Sequence, residues 1–194
     1  MTASIRNASG PNDPAFDDFR LRERQLNTRL HRRGERSDAK FIAEGDLVVE
    51  RALEAGCRPT LVLVDGERPP EVTERLAEMV PIYAGGDRLR ARVTQLGMPY
   101  SVVALFERPA RATVDQLCAT TTRLVLAEAV DNPLNIGSIV RNALGLGWQG
   151  LVTDTTSADP LARRALRVSM GNALHFPHAR VPDLAATTAS MVAN

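Results

Sequence analysis

This chain of 194 residues contains a single lysine, Lys40, two cysteines, Cys57 and Cys118, and three histidines, His31, His175 and His178. Two cysteines in separate segments, neither at a metal-type spacing, exclude a disulfide framework and leave two ordinary thiols in a reducing compartment. His175 and His178 flank Pro177, so they are not placed on one helix face, and no metal site is expected. No apolar run reaches the roughly 20 residues that a membrane helix needs. Residues 1–14 are small and polar, without the apolar stretch of a secretory signal, and the expected location is cytoplasmic. Walker-type phosphate loops and a G-x-S-x-G nucleophile turn are also lacking.

What is present is arginine. It supplies 23 of the 24 basic residues, against 23 acids, for a net charge of +1. The whole chain is therefore not a polycation, and the bias toward arginine over lysine fits a GC-rich coding sequence. Its placement carries more information. Residues 17–40 hold eight basic and five acidic residues, with Arg32 and Arg33 adjacent. That stretch reads either as a solvated helix face or as a phosphate-facing arm. Residues 160–180 hold four arginines, Arg163, Arg164, Arg167 and Arg180, and no acid.

Short apolar runs alternate with amphipathic segments from residue 41 onward. Strands are predicted at 41–43, 61–64, 82–84 and 101–106, and helices at 16–32, 46–55, 69–79 and 87–95. This alternation predicts a small α/β layer domain over 15–106, preceded by a disordered lead at 1–14. Residues 107–121 have turn and linker character. A second α/β domain is expected over 122–194. Its first strand, 123–129, is a near-continuous apolar run, predicted to be central and buried on both faces of a parallel sheet. A helix from Asn135 to about Leu146, a strand at 151–153, a helix opened by Asp159-Pro160 and a last helix at 183–192 follow.

Two clusters stand where ligands bind in parallel α/β sheets, beyond the carboxyl ends of strands. The first is Asp131-Asn132-Pro133-Leu134-Asn135-Ile136-Gly137-Ser138-Ile139-Val140-Arg141-Asn142-Ala143. Asn135 is expected to cap the helix. Gly137 and Arg141 are one turn apart, which predicts that Arg141 leans over the bare glycine toward the positive helix end. A capped helix with a surface arginine is the plainer alternative. The second cluster, Asp159-Pro160 through Arg163, Arg167, Ser169 and Gly171, reads as a helix capped by Asp159 with a basic ridge. A ridge of one sign beside a ligand edge suits nucleic acid, and a solvated basic helix is the alternative.

Gly145-Leu146-Gly147-Trp148-Gln149-Gly150 matches G-x-G-x-x-G but follows a helix and precedes a strand. The dinucleotide fingerprint requires the reverse order, so these glycines read as a helix stop.

Together the clusters resemble motifs 1 and 2 of the SpoU (TrmH-like) RNA ribose 2′-O-methyltransferases of the SPOUT class. Asn132 to Ala143 is similar to the family signature N-P-x-N-x-G-x-x-x-R-x-A, and Ala158-Asp159-Pro160 with Arg167-Val168-Ser169-Met170-Gly171 is similar to motif 2. Phe41-Ile42-Ala43-Glu44-Gly45 and the helix after it resemble the family's L30e-like substrate-recognition domain.

The resemblance implies an L30e-like α/β domain followed by an α/β-knot SPOUT domain that transfers a methyl group from S-adenosylmethionine to a ribose 2′-oxygen. It implies an RNA partner, with ribosomal RNA favoured over transfer RNA, and a homodimer in the complete protein. Arg141 would act on the 2′-hydroxyl and Asn135 would order its loop. Arg32, Arg33, Arg163 and Arg167 are the expected RNA contacts, and Gly137, Ser169 and Gly171 would be structural. Nothing after Arg180 resembles the family's third motif, which builds most of the donor pocket. The second domain is therefore expected to be incomplete at its C-terminus, with no donor-binding residues assigned and weak or absent donor binding. The alternative is a non-catalytic RNA-binding module.

Overall fold

A computed structural model describes residues 5–28, 39–95 and 98–193. The chain divides into two units, Met1–Arg108 and Pro109–Asn194.

The first unit is a mixed sheet flanked by helices. Its strands are β1 (Arg6–Asn7), β2 (Lys40–Glu44), β3 (Pro59–Asp65), β4 (Ile82–Gly85) and β5 (Val102–Glu107), in the order β1-β4-β3-β5-β2. β1, β4 and β3 run parallel, whereas β5 is antiparallel to both β3 and β2. The central strands have apolar middles: Val62 to Val64 and Val102 to Phe106 are all buried, as strands covered on both faces must be. One cluster joins Ile42, Leu63, Val103 and Leu105 of the sheet to Phe16, Phe19, Leu26 and Val93. Each fully buried phenylalanine there contributes roughly 1.5–3 kcal/mol over exposure.

The lead expected to be disordered is part of this fold over its described residues. Arg6 and Asn7 pair with Tyr83 and Ala84, and the Ala8 N–H donates to the Ala84 carbonyl at 3.1 Å. Pairing satisfies the otherwise open edge of β4, which composition alone does not reveal. The helix expected at 16–32 is also broken. A 3₁₀ turn, Pro14–Arg20, ends at an extended Leu21, and α1 (Glu23–Thr28) starts afresh. Phe16 and Phe19, three apart, sit one above the other on a 3₁₀ turn and both reach the core.

The remaining helices of this unit are α2 (Asp46–Glu54), α3 (Val72–Ala77) and α4 (Asp87–Thr94). Arg90 of α4 is buried, with 2% exposure. Its guanidinium donates to the Gly85 carbonyl at 3.0 Å, to the Tyr100 carbonyl and to the carboxylates of Asp65 and Asp87. A buried guanidinium is tolerated because charge and donors are matched.

The second unit is a three-stranded, wholly parallel sheet of β6 (Leu124–Ala127), β7 (Gly150–Asp154) and β8 (His178–Val181), in that order. Its helices are α5 (Val114–Thr120), α6 (Pro133–Gly145), α7 (Arg163–Val168) and α8 (Leu184–Ala193). β7, not β6, is central, and all five of its residues are buried. β6 pairs with β7 alone among the described residues and leaves Leu126 41% exposed, so the expectation of a central strand at 123–129 is corrected. An apolar run signals affinity for a sheet, not a place in it.

The stretch expected as a linker, 107–121, contains α5. Thr113 opens it with a capping box: the Gln116 N–H donates to the Thr113 hydroxyl at 3.2 Å and the Thr113 N–H to the Gln116 side chain at 2.9 Å. Leu117 of α5 joins Val152, Ala179, Val181 and Leu184 in the core of this unit.

Candidate active site at the carboxyl edge of the parallel sheet

α6 starts beyond the carboxyl end of β6. Its cap is Asn132, not Asn135: the Asn132 side chain accepts the Leu134 N–H at 2.9 Å, and Pro133 occupies the first turn. A proline fits there because it lacks the N–H that the first turn leaves unpaired. Asn135 is one turn in, exposed, with its own N–H on the Asn132 carbonyl at 3.0 Å.

The face that α6 buries consists of Ile136, Gly137, Val140 and Ala143. A Cβ on Gly137 would lie 2.6 Å from the Ala165 carbonyl oxygen of α7, so the glycine is what lets the two helices touch. Arg141 follows Gly137 by four residues, about 40° further round the helix, and is exposed. The expected picture of Arg141 lying over a bare glycine face is therefore corrected, because α7 fills that space. Asn135, Ser138 and Arg141 instead share the exposed side of α6, and the Ser138 hydroxyl donates back to the Leu134 carbonyl at 3.0 Å.

The second cluster packs beside the first. Asp159 does not cap α7, whose cap position is Ala162 without a side-chain bond. It holds the turn before the helix, accepting the Leu161 N–H at 2.8 Å and Arg111 at 2.6 Å. Arg163 and Arg167 are half-buried and Arg164 is exposed. Ser169 is fully buried, and its N–H donates to the Ala165 carbonyl at 2.8 Å. Gly171 has φ +80°, and its N–H closes the helix on the Leu166 carbonyl at 2.8 Å. Gly147, with φ +77°, stops α6. Arg32 and Arg33 lie outside the described residues.

A third group was not anticipated from sequence. Asp154, the last residue of β7, accepts the backbone N–H groups of Ala129, Thr156 and Ser157, each at 3.1 Å, and the hydroxyls of Thr156 and Ser157. These donors, the Ser157 hydroxyl foremost, hold its carboxyl well below the usual carboxylate range. The run Asp154-Thr155-Thr156-Ser157 carries the signal, since Asp and Ser side chains fold back onto nearby backbone N–H groups at turns. Among the described residues no cluster of three or more His, Cys, Asp or Glu is placed to hold a metal ion. No helix there is long and apolar enough to cross a membrane.

A parallel sheet with α6 starting beyond the carboxyl end of β6 and three arginines on the neighbouring α7 defines an α/β unit with a polar, basic helical surface. Residues 122–194 match the SpoU rRNA Methylase family. Over 182 residues the chain is 37% identical to an uncharacterized tRNA/rRNA methyltransferase of Mycobacterium bovis, covering 92% of this chain and 62% of the relative. It is 27% identical over 154 residues to RlmP of Bacillus subtilis, a 23S rRNA (guanosine(2553)-2′-O)-methyltransferase, covering 78% of this chain and 59% of that one. The structure is similar to the SpoU methyltransferase AviRb of Streptomyces viridochromogenes in complex with AdoMet, with TM-score 0.67 and 28% identity over 89% of this chain and 67% of that chain. These matches support a SpoU (TrmH-like) family member. It spans about three-fifths of the length of the curated relatives it matches.

Proposed function

We propose that this protein methylates a ribose 2′-oxygen of RNA with S-adenosylmethionine as donor, and that residues of this chain form the RNA-facing side of the site. The observation that carries the reading is that α6 starts beyond the carboxyl end of β6 and leaves Asn135, Ser138 and Arg141 exposed. Arg141 supplies a fixed positive charge with several donors, suited to a ribose oxygen and its phosphate. Free guanidinium keeps its proton to about pH 12 and above, so positioning the 2′-oxygen is the role its chemistry favours. Arg164 and Arg167 extend the positive surface toward phosphates. The names of the relatives support ribosomal RNA over transfer RNA as substrate. The first unit is read as an L30e-like recognition domain, the complete protein as a cytoplasmic homodimer, and no metal is invoked.

The donor brings the methyl group. The described residues do not by themselves form a closed pocket for it. Asn135 and Arg141 stand on an open helix face, and Leu126 and Leu134 are exposed at this end of the unit, with 41% and 42% exposure. A site for a molecule of that size buries most of its surface. No catalytic step through the donor is therefore assigned to these residues.

Calorimetry with S-adenosylmethionine and methyl transfer to ribosomal RNA test the reading. This chain alone is expected to bind the donor weakly and to transfer no methyl group. A form extended to the length of the mycobacterial relatives is expected to do both. Arg141→Ala in that form should abolish transfer while leaving donor affinity nearly intact. Full activity of Arg141→Ala would remove Arg141 from the chemistry. RNA binding without transfer by the extended form would favour a non-catalytic RNA-binding module.

A further inference from the structure

The strand-to-helix loop that leads into α6 is held from the neighbouring strand. Ala129 has φ +53°, the left-handed region that costs a residue with a Cβ about 1–2 kcal/mol. Its N–H donates to Asp154 at 3.1 Å. The next N–H, of Val130, donates to the Ser157 hydroxyl at 3.0 Å, and that hydroxyl in turn donates to Asp154. The Val130 carbonyl accepts the Ala158 N–H at 2.8 Å. Two residues later comes Asn132, the cap of α6, followed by Pro133 with its fixed φ. Little freedom separates the held segment from the start of the helix.

We propose that Asp154 is a positioning residue: through Ala129 directly and Val130 by way of Ser157, it sets the direction in which α6 and its Asn135–Arg141 face leave the sheet. Asp154 and Ser157 are buried, with 7% and 2% exposure, and the second loop they belong to is braced by the Arg180 guanidinium on the carbonyls of Thr155 and Ser157. Both carboxylate oxygens accept only donors. An amide in place of the carboxylate would turn an N–H toward other N–H or O–H groups, so the role demands the charged acceptor and not merely its shape. Ala129 stores the strain that this acceptor maintains.

The positional role rests on the methyltransferase reading for its consequence, whereas the clamp stands on geometry alone. Its test uses this chain with Asp154→Asn, Ala129→Gly and the double variant, read by amide hydrogen exchange, thermal melting and affinity for a fluorescein-labelled hairpin of ribosomal RNA. Losing a charge-assisted acceptor should raise exchange at Ala129 and Val130 about 10-fold or more in Asp154→Asn. RNA affinity should fall several-fold and the melting temperature should drop, while protection in β6–β8 away from this loop is retained. Ala129→Gly in the same chain should restore much of the affinity, because glycine adopts the left-handed conformation without help. Unchanged exchange at Ala129 and Val130, or uniform loss of protection across β6–β8 with no rescue by glycine, would overturn the proposal. Should Asp154→Asn fail to fold, Ser157→Ala must raise exchange at Val130 selectively, and its failure to do so would be equally decisive. An unaltered chain that binds no RNA would defeat the methyltransferase reading, and the exchange data would still decide the clamp.

Discussion

Gly137 of α6 meets Ala165 of α7 so closely that a Cβ on the glycine would lie 2.6 Å from the Ala165 carbonyl oxygen and 2.9 Å from the Val168 Cβ. The obstruction includes backbone, which cannot rotate away. Gly137→Ala should therefore destabilise the chain by about 1–3 kcal/mol through overpacking, even though alanine is the better helix former by roughly 1 kcal/mol. Urea unfolding followed by circular dichroism checks the sign. A neutral or stabilising result would mean that α6 and α7 can separate at no cost.

The ion pair between Arg111 and Asp159 joins the segment before α5 to the turn before α7. Arg111→Ala removes one charged donor from the buried Asp159 carboxylate, which also accepts the Leu161 N–H. Stability should fall by about 1–3 kcal/mol. Asp159→Ala should cost at least as much, because it also frees the Leu161 N–H. The same denaturation experiment compares them.

Cys57 is buried and Cys118 exposed. Burial pushes the Cys57 thiol up to about 11. At pH 8 a maleimide should label Cys118 within minutes and Cys57 only on unfolding. The native state holds the Cys57 proton while the unfolded chain loses it at about pH 8.5. The contribution of this thiol to stability is therefore unaffected below that pH and declines from there up to about 11. Melting temperatures of Cys57→Ala should fall less between pH 8 and 10 than those of the unaltered chain.

Arg164 and Arg167 are the α7 arginines best placed to meet phosphates, since Arg163 buries one guanidinium nitrogen. If each neutralises one phosphate, its replacement by alanine should lower the slope of log affinity against log salt by about 0.7–0.9 and weaken binding across RNA sequences. Titrations at several salt concentrations read the slope. An unchanged slope in the double variant would exclude this ridge from the RNA surface.

Much of the local framework around α6 is legible because its signals are short-range. The segment after Pro133 reads as a helix, Gly147 as its stop, and the spacing from Asn132 to Ala143 resembles one family in particular. The cap is Asn132 and not Asn135, three residues before the expected position, and proline at the first helical position is the signal that points to it. α5 is signalled by Thr113-x-x-Gln116, but the flanking Arg-Pro-Ala composition has linker character and masks it. β8 has only four residues, with Ala179 and Val181 as its buried set, too short for its alternation to stand out.

The sequence by itself determined the alternation of strands and helices, the helix that follows Pro133 and the resemblance to one family, because each depends on residues close together in the chain. Only the tertiary structure decided that β7 is the central strand of its sheet, that β1 completes the first sheet, that Gly137 faces α7 and that Asp154 holds Ala129. Those facts depend on pairing between segments far apart in sequence. Hydrophobic periodicity marks which face of an element is buried, but the neighbour that buries it is chosen by the free energy of the whole packed unit.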